Sequence, residues 1–224
     1  MISNHPSSEL LIEYSAASMA TAPSIAVTTH LQFCDKCQQA TQSLNQIGGE
    51  LLEASLGTSV SEDSLEELLR KVSDLPQETA DESQSATKST SSTDRFKQAL
   101  PTYVQGLFPP NDLDWRSVSK SVQVATMRSG ETSHELALHR ISAGGETPKH
   151  RHTAQEITVV LTGCFSDENG VYQPGDFLVR EQGEVHRPSA SQNEECICLS
   201  VLAGPIKLTG LKQILNPFLK FSPK

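Results

Sequence analysis

Two groups of histidine, cysteine and glutamate residues are spaced as metal ligands are spaced. The first is His30-x3-Cys34-x2-Cys37. On one helix, positions i, i+4 and i+7 share a face, so three soft or borderline ligands would point the same way, about one turn apart. Such a set suits tetrahedral zinc, with Zn–S near ~2.3 Å and Zn–N near ~2.0 Å. A structural zinc site needs a fourth ligand. The N-terminal region holds no other cysteine and one other histidine, His5. Elimination therefore makes the expected site His5, His30, Cys34 and Cys37. The competing readings of a CxxC pair are a redox couple or plain core cysteines. A thioredoxin-type couple expects a βαβ setting, whereas this region reads as helical.

The second group is Gly144-x5-His150-Arg151-His152-x3-Glu156-x6-Gly163. Residues two apart on a strand face the same side, so His150 and His152 can both point into a barrel. Glu156 keeps that parity if the strand continues or bends nearby. The run Pro174-Gly175-Asp176 to Gly183-Glu184-Val185-His186 reads as a turn, a strand and a second turn. It would bring His186 back across the barrel as a fourth ligand. Three imidazoles and a carboxylate form a borderline site that suits zinc, iron, manganese, nickel or copper. Otherwise His150 and His152 are surface residues on a polar loop, a reading that the position of His186 argues against.

The elements that must carry these residues fall into three zones. Residues 1–72 are expected to be helical. Leu10–Ala20 follows Pro6 and polar capping groups. A second run starts near Pro23, and a third spans Gln38–Ile47, with Gly48-Gly49 expected to end or break it. In a fourth, residues 64–72, Leu65, Leu68, Leu69 and Val72 share one face and Glu66, Glu67, Arg70 and Lys71 the other. Residues 73–95 are rich in Ser, Thr, Asp, Glu and Gln and cannot bury enough surface to offset their ordering entropy. They read as a flexible linker. From 96 to 224 the expectation is an all-β barrel, with strands around 121–127, 134–141, 156–163, 175–181 and 196–202 separated by Gly and Pro turns. The fold class is thus α+β in two domains. His134 and His139 read as ordinary surface or strand residues. Cys196 and Cys198 share a strand face, either toward the barrel interior or away from it. Both fillers and an oxidant-sensing pair remain open for them. Cys164 has no evident role.

Composition narrows the function classes. The 224 residues carry a formal charge of −9, which disfavours direct nucleic-acid binding, since phosphate contacts need clustered Lys and Arg. No run approaches the roughly 20 apolar residues of a membrane span. The N-terminus lacks a positive region followed by an apolar run, so a cytoplasmic protein is expected. There thiols stay reduced, and an odd count of five cysteines favours metal ligation over a disulfide framework.

The His/Cys motif in a helical domain of about seventy residues, with an earlier histidine, resembles the zinc anti-sigma domain. The second group resembles the two cupin motifs. The first of these matches at every fixed position. The second departs at Glu181, where proline is usual, and at Ala190, where asparagine is usual; neither position is a ligand in cupins. Together the two regions resemble the ChrR-type anti-sigma factors over nearly the whole chain. That resemblance implies an N-terminal domain that wraps an extracytoplasmic-function sigma factor and blocks its access to RNA polymerase. It also implies that the last helix, with Leu65 to Val72, helps make the contact, unless those leucines only pack the domain's own core. The expected cupin role is to sense or transmit a signal, of oxidative type, that releases the sigma factor. The expected cofactors are zinc in the helical domain and zinc or another divalent transition metal in the cupin. The alternative is a metal-dependent cupin enzyme, a dioxygenase or isomerase, with an accessory zinc domain.

Overall fold

The computed structural model describes residues 2–55, 57, 61–75, 105, 113–210, 216 and 221–223. The expected linker at 73–95 lies outside them from residue 76 onward. Among the described residues four helices come first: α1 (Ser8–Ser15), α2 (Thr21–Leu31), α3 (Asp35–Ala54) and α4 (Glu62–Ser73). Among the described residues no helix is long and apolar enough to cross a membrane.

Each helix has a different reason to form. The Ser7 hydroxyl caps α1 by accepting the Leu10 N–H at 3.3 Å. Helix α2 is apolar on all sides and buried, with Ala22, Ile25, Ala26 and Val27 inaccessible to solvent. It has no cap of its own. The carboxylate of Glu131, far along the chain, accepts the N–H groups of Thr21 and Ala22 at 3.0 Å each, where the helix dipole favours a negative charge. Helix α3 runs through Gly48-Gly49, contrary to the expected break. Neither glycine packs against anything, and an exposed helical glycine costs only about 1 kcal/mol relative to alanine. Twenty residues of helix absorb that cost.

Twelve strands follow among the described residues: β1 (Arg116–Ser117), β2 (Val122–Met127), β3 (Glu135–Ile141), β4 (His150–His152), β5 (Glu156–Thr162), β6 (Phe165–Asp167), β7 (Gly170–Tyr172), β8 (Phe177–Arg180), β9 (Val185–His186), β10 (Ser189–Ala190), β11 (Cys196–Leu202) and β12 (Ile206–Leu208). They form a six-stranded sheet in the order β1-β2-β3-β11-β5-β8 and two three-stranded sheets, β10-β6-β7 and β12-β4-β9. The strands expected from the sequence are β2, β3, β5, β8 and β11. All pairs are antiparallel.

The central strands of the six-stranded sheet, β5 and β11, are buried on both faces. Ile157, Val159, Ile197, Leu199 and Val201 lie on the outer face and pack with Ile25 and Val27 of α2 in one apolar cluster. Val160, Cys196 and Cys198 have the opposite parity and join Phe165, Tyr172 and Leu178 in a second cluster. Helices and barrel therefore share a core, with α2 laid across β5 and β11.

Candidate metal centres

The helical centre is built by three separate pieces of chain. His30 closes α2, Cys34 is the N-cap of α3, and Cys37 sits in its first turn. The three residues do not share one helical face. A turn at Gln32–Phe33 separates the two helices, and the Cys34 sulfur accepts the Cys37 N–H at 3.4 Å, as a capping group would. His5 comes from the extended segment before α1. Its Nδ1 lies 3.4 Å from Cys34 Sγ and 3.5 Å from Cys37 Sγ.

One ligand atom from each of His5, His30, Cys34 and Cys37 falls within 4.8 Å of all the others. Ligands at ~2.0 and ~2.3 Å from a tetrahedral zinc stand about 3.3–3.8 Å apart, so the sulfur–nitrogen separations fit such an ion. His30 adds a second indication. Its Nδ1–H donates to the Gly175 carbonyl at 2.7 Å, which leaves Nε2 as a lone pair. That Nε2 is buried and has no hydrogen-bond partner, an expensive arrangement unless a ligand completes it. Burial holds His30 below its usual range, so the ring is neutral, as a ligand must be. Burial, then the neighbouring Cys34 thiol, pushes Cys37 up to about 11.

The barrel centre draws on three strands. His150 and His152 lie on β4, with both side chains buried and Arg151 exposed between them, as period two requires. Glu156 opens β5. His186 ends β9 and stands directly opposite His150 in the antiparallel register. His186 Nε2 is 3.0 Å from both His150 Nε2 and His152 Nε2, and His152 Nε2 is 3.3 Å from Glu156 Oε2. All four residues are buried.

Proton bookkeeping in this cluster points to a cation. Burial, then the charge of His186, lowers His150 to about 4. Burial lowers His186 too. Both rings are therefore neutral at pH 7, each with one N–H. His150 spends its N–H at Nδ1 on the Pro148 carbonyl, 2.9 Å away. His186 spends its own at Nδ1 on Asp167 Oδ2, 3.0 Å away. Two imidazole lone pairs are left facing each other at Nε2, a repulsion that a shared cation turns into attraction. Burial likewise lifts Glu156 to about 7, against the Thr158 and Ser200 hydrogen bonds and the Arg180 charge that lower it.

Asp167 orients this cluster. Its carboxylate is inaccessible and also accepts from Arg180 at 2.7 Å and from the Tyr172 hydroxyl at 3.0 Å. Burial alone would raise it, but the Asn169 N–H, His186 and Arg180 hold it below the usual carboxylate range.

A cavity of about 510 Å³ opens over the barrel centre, lined by Glu156, His150 and His186 and by apolar groups such as Val124, Ile141 and Phe165. Cys198, Ser200 and His139 also line it. Cys196 and Cys198 both face inward, in the second apolar cluster, with their sulfurs 3.6 Å apart. His139 is a strand residue, on β3; its side chain faces the cavity and burial lowers it to about 4. The available signal was its parity, opposite to Leu136 and Leu138 and shared with Ile141.

A family profile described as the ChrR cupin-like domain matches residues 105–206. The anti-sigma-E factor ChrR of Cereibacter sphaeroides is 30% identical over 220 residues, spanning 98% of this chain and 99% of that protein. The chain belongs to the ChrR family of anti-sigma factors. A crystal structure of Rhodobacter sphaeroides SigE in complex with the anti-sigma ChrR is similar to this ChrR-family chain. The match has a TM-score of 0.72 and 29% identity, and covers 90% of this chain and 100% of that one. An RmlC-like cupin protein from Ralstonia eutropha JMP134 is similar over 46% of this chain and 71% of that one, with a TM-score of 0.41 and 21% identity.

Proposed function

We propose that this protein sequesters an extracytoplasmic-function sigma factor by docking the apolar face of α4 against it, and that the metal-bearing cupin releases that grip on an oxidative-type signal. The observation that carries the first half is the exposure of α4. Leu65, Leu68, Leu69 and Val72 are 61, 57, 57 and 47% exposed, so they do not pack the domain's own core. An amphipathic helix with an uncovered apolar stripe is a common element of helix-in-groove recognition. Ile47, Leu51 and Leu52 at the end of α3 are exposed as well, which widens the apolar surface. Membership of an anti-sigma family supplies the class of partner.

The helical centre is read as structural zinc. Two thiolates and two imidazoles close a tetrahedron and leave no position for a substrate. Zinc there supplies folding free energy to a small domain. The barrel centre is read as zinc or another divalent transition metal held by His150, His152, Glu156 and His186, with Asp167 fixing the tautomer of His186. The cavity would let a small molecule reach that ion, Cys198 and His139. Cupin enzymes use comparable ligand sets, but nothing in an enzyme requires an exposed α4, and a regulator does.

The test is transcription from a sigma-dependent reporter, with and without oxidant. Cys34→Ser should free the sigma factor without any signal. His150→Ala and His152→Ala should keep inhibition and lose the response. Cupin variants that respond like the parent would remove the barrel centre from the signalling route.

A further inference from the structure

The helical centre is held in place by the barrel. His30 is oriented by the carbonyl of Gly175, in the turn between β7 and β8. The next residue, Asp176, is buried. Its Oδ1 accepts the backbone N–H groups of Ser3 and Asn4 at 2.8 and 2.9 Å, and its Oδ2 accepts the Gln173 N–H at 2.8 Å. The Phe177 N–H then donates to the Asn4 carbonyl at 3.0 Å. These bonds pin the extended segment that ends on His5. Two of the four candidate ligands, His5 and His30, thus take their positions from three residues of the cupin, Gly175, Asp176 and Phe177.

Contact at the turn is close. Gly175 has φ +91°, and a Cβ there would lie 2.7 Å from both Ile2 and Phe33, so this approach admits only glycine. The turn is also wired to the barrel centre. Gly175 N–H donates to the Val160 carbonyl at 2.9 Å, and Val160 N–H to the Asp176 carbonyl at 3.2 Å. Val160 lies on β5, the strand that begins with Glu156. From Phe177, β8 runs to Arg180, which holds Asp167 and through it His186.

We propose that Gly175 and Asp176 are positioning residues of the helical metal centre, so that its hold on zinc is set by the cupin and the two centres act as one mechanical unit. This rests on the reading that His5, His30, Cys34 and Cys37 bind zinc. Partners that orient metal ligands change affinity about 10–100-fold when removed. A turn shared by both centres also provides the differential contact that any signal from the barrel needs to bias the helical domain.

The experiment uses the full chain carrying His150→Ala and His152→Ala, which leaves the helical centre as the remaining site. It is loaded with zinc for release to a chromophoric chelator, and separately with cobalt(II) for its d–d spectrum. Asp176→Asn should speed zinc release at least tenfold and shift the cobalt bands, with thermal unfolding of the barrel retained. Should Asp176→Asn disrupt the barrel itself, Ser3→Pro decides: it removes one donor on the helical side without touching the turn, and it should speed release in the same direction. Release rates within twofold of the parent and an unchanged cobalt spectrum in a folded variant would overturn the proposal. A parent chain with no tetrahedral cobalt spectrum would overturn the zinc reading itself, and the proposal with it.

Discussion

His186 Nδ1 and Asp167 Oδ2 stand 3.0 Å apart, with the carboxylate inaccessible to solvent and tied to Arg180 at 2.7 Å. That pair fixes which nitrogen of His186 faces His150 and His152. Asp167→Asn keeps the shape but replaces the acceptor by a weaker one and unbalances Arg180. Metal affinity at the barrel centre should fall about 10–100-fold, read by competition with a chelator. An unchanged affinity would mean that Asp167 does not orient His186.

Two ligand sets imply two ions per chain. Elemental analysis of the purified full chain should give two equivalents. Cys34→Ser with Cys37→Ser should remove one, and His150→Ala with His186→Ala the other. Loss of both in the barrel variant alone would show that the helical centre cannot load without an intact barrel centre.

Zinc uptake by the helical centre should release protons and strengthen with pH. Burial keeps Cys37 at about 11 without metal, so at pH 7 it is a thiol, whereas zinc binds the thiolate. Each proton displaced raises apparent affinity about tenfold per pH unit, and the gain continues until pH passes the thiol's own value. His30, held below its usual range by burial, contributes less release than the thiol. Zinc titrations at pH 6, 7 and 8 check the slope. A flat profile would exclude Cys37 as a ligand.

Leu68→Asp places a charge on the exposed stripe of α4. Metal content should not change, and stability should move by no more than about 0.5 kcal/mol, as for other surface substitutions. Sigma-factor affinity should fall at least a hundredfold, because a carboxylate would be desolvated in the partner's groove. Isothermal titration measures both the affinity and any change in stoichiometry.

Much of this was readable from local pattern. The period-two spacing of His150 and His152 and the turn ahead of His186 give the barrel ligands, because strand parity is a local property. The stripe Leu65-Leu68-Leu69-Val72 gives the amphipathic α4, though its exposure needed the structure. The shared core was signalled indirectly. Cys196 to Leu202 is apolar at both parities, which marks a strand covered on both faces. Nothing local says that α2 is the cover. The same holds for Glu131 capping α2 and for Gly175 orienting His30. Both link residues more than a hundred positions apart, and only packing brings them together. The spacing of His30, Cys34 and Cys37 could not show whether they share one helical face, because i, i+4, i+7 is also met by a helix end, a turn and a capping residue.

Competition with core RNA polymerase for a sigma factor tests sequestration directly. The full chain would be co-expressed with each extracytoplasmic-function sigma factor of its source organism, and each purified complex challenged with core RNA polymerase. At least one sigma factor should form a 1:1 complex, this complex should fail to join core polymerase, and Leu68→Asp should restore its entry. If no sigma factor binds, or a bound one still enters polymerase freely, sequestration by this chain is contradicted.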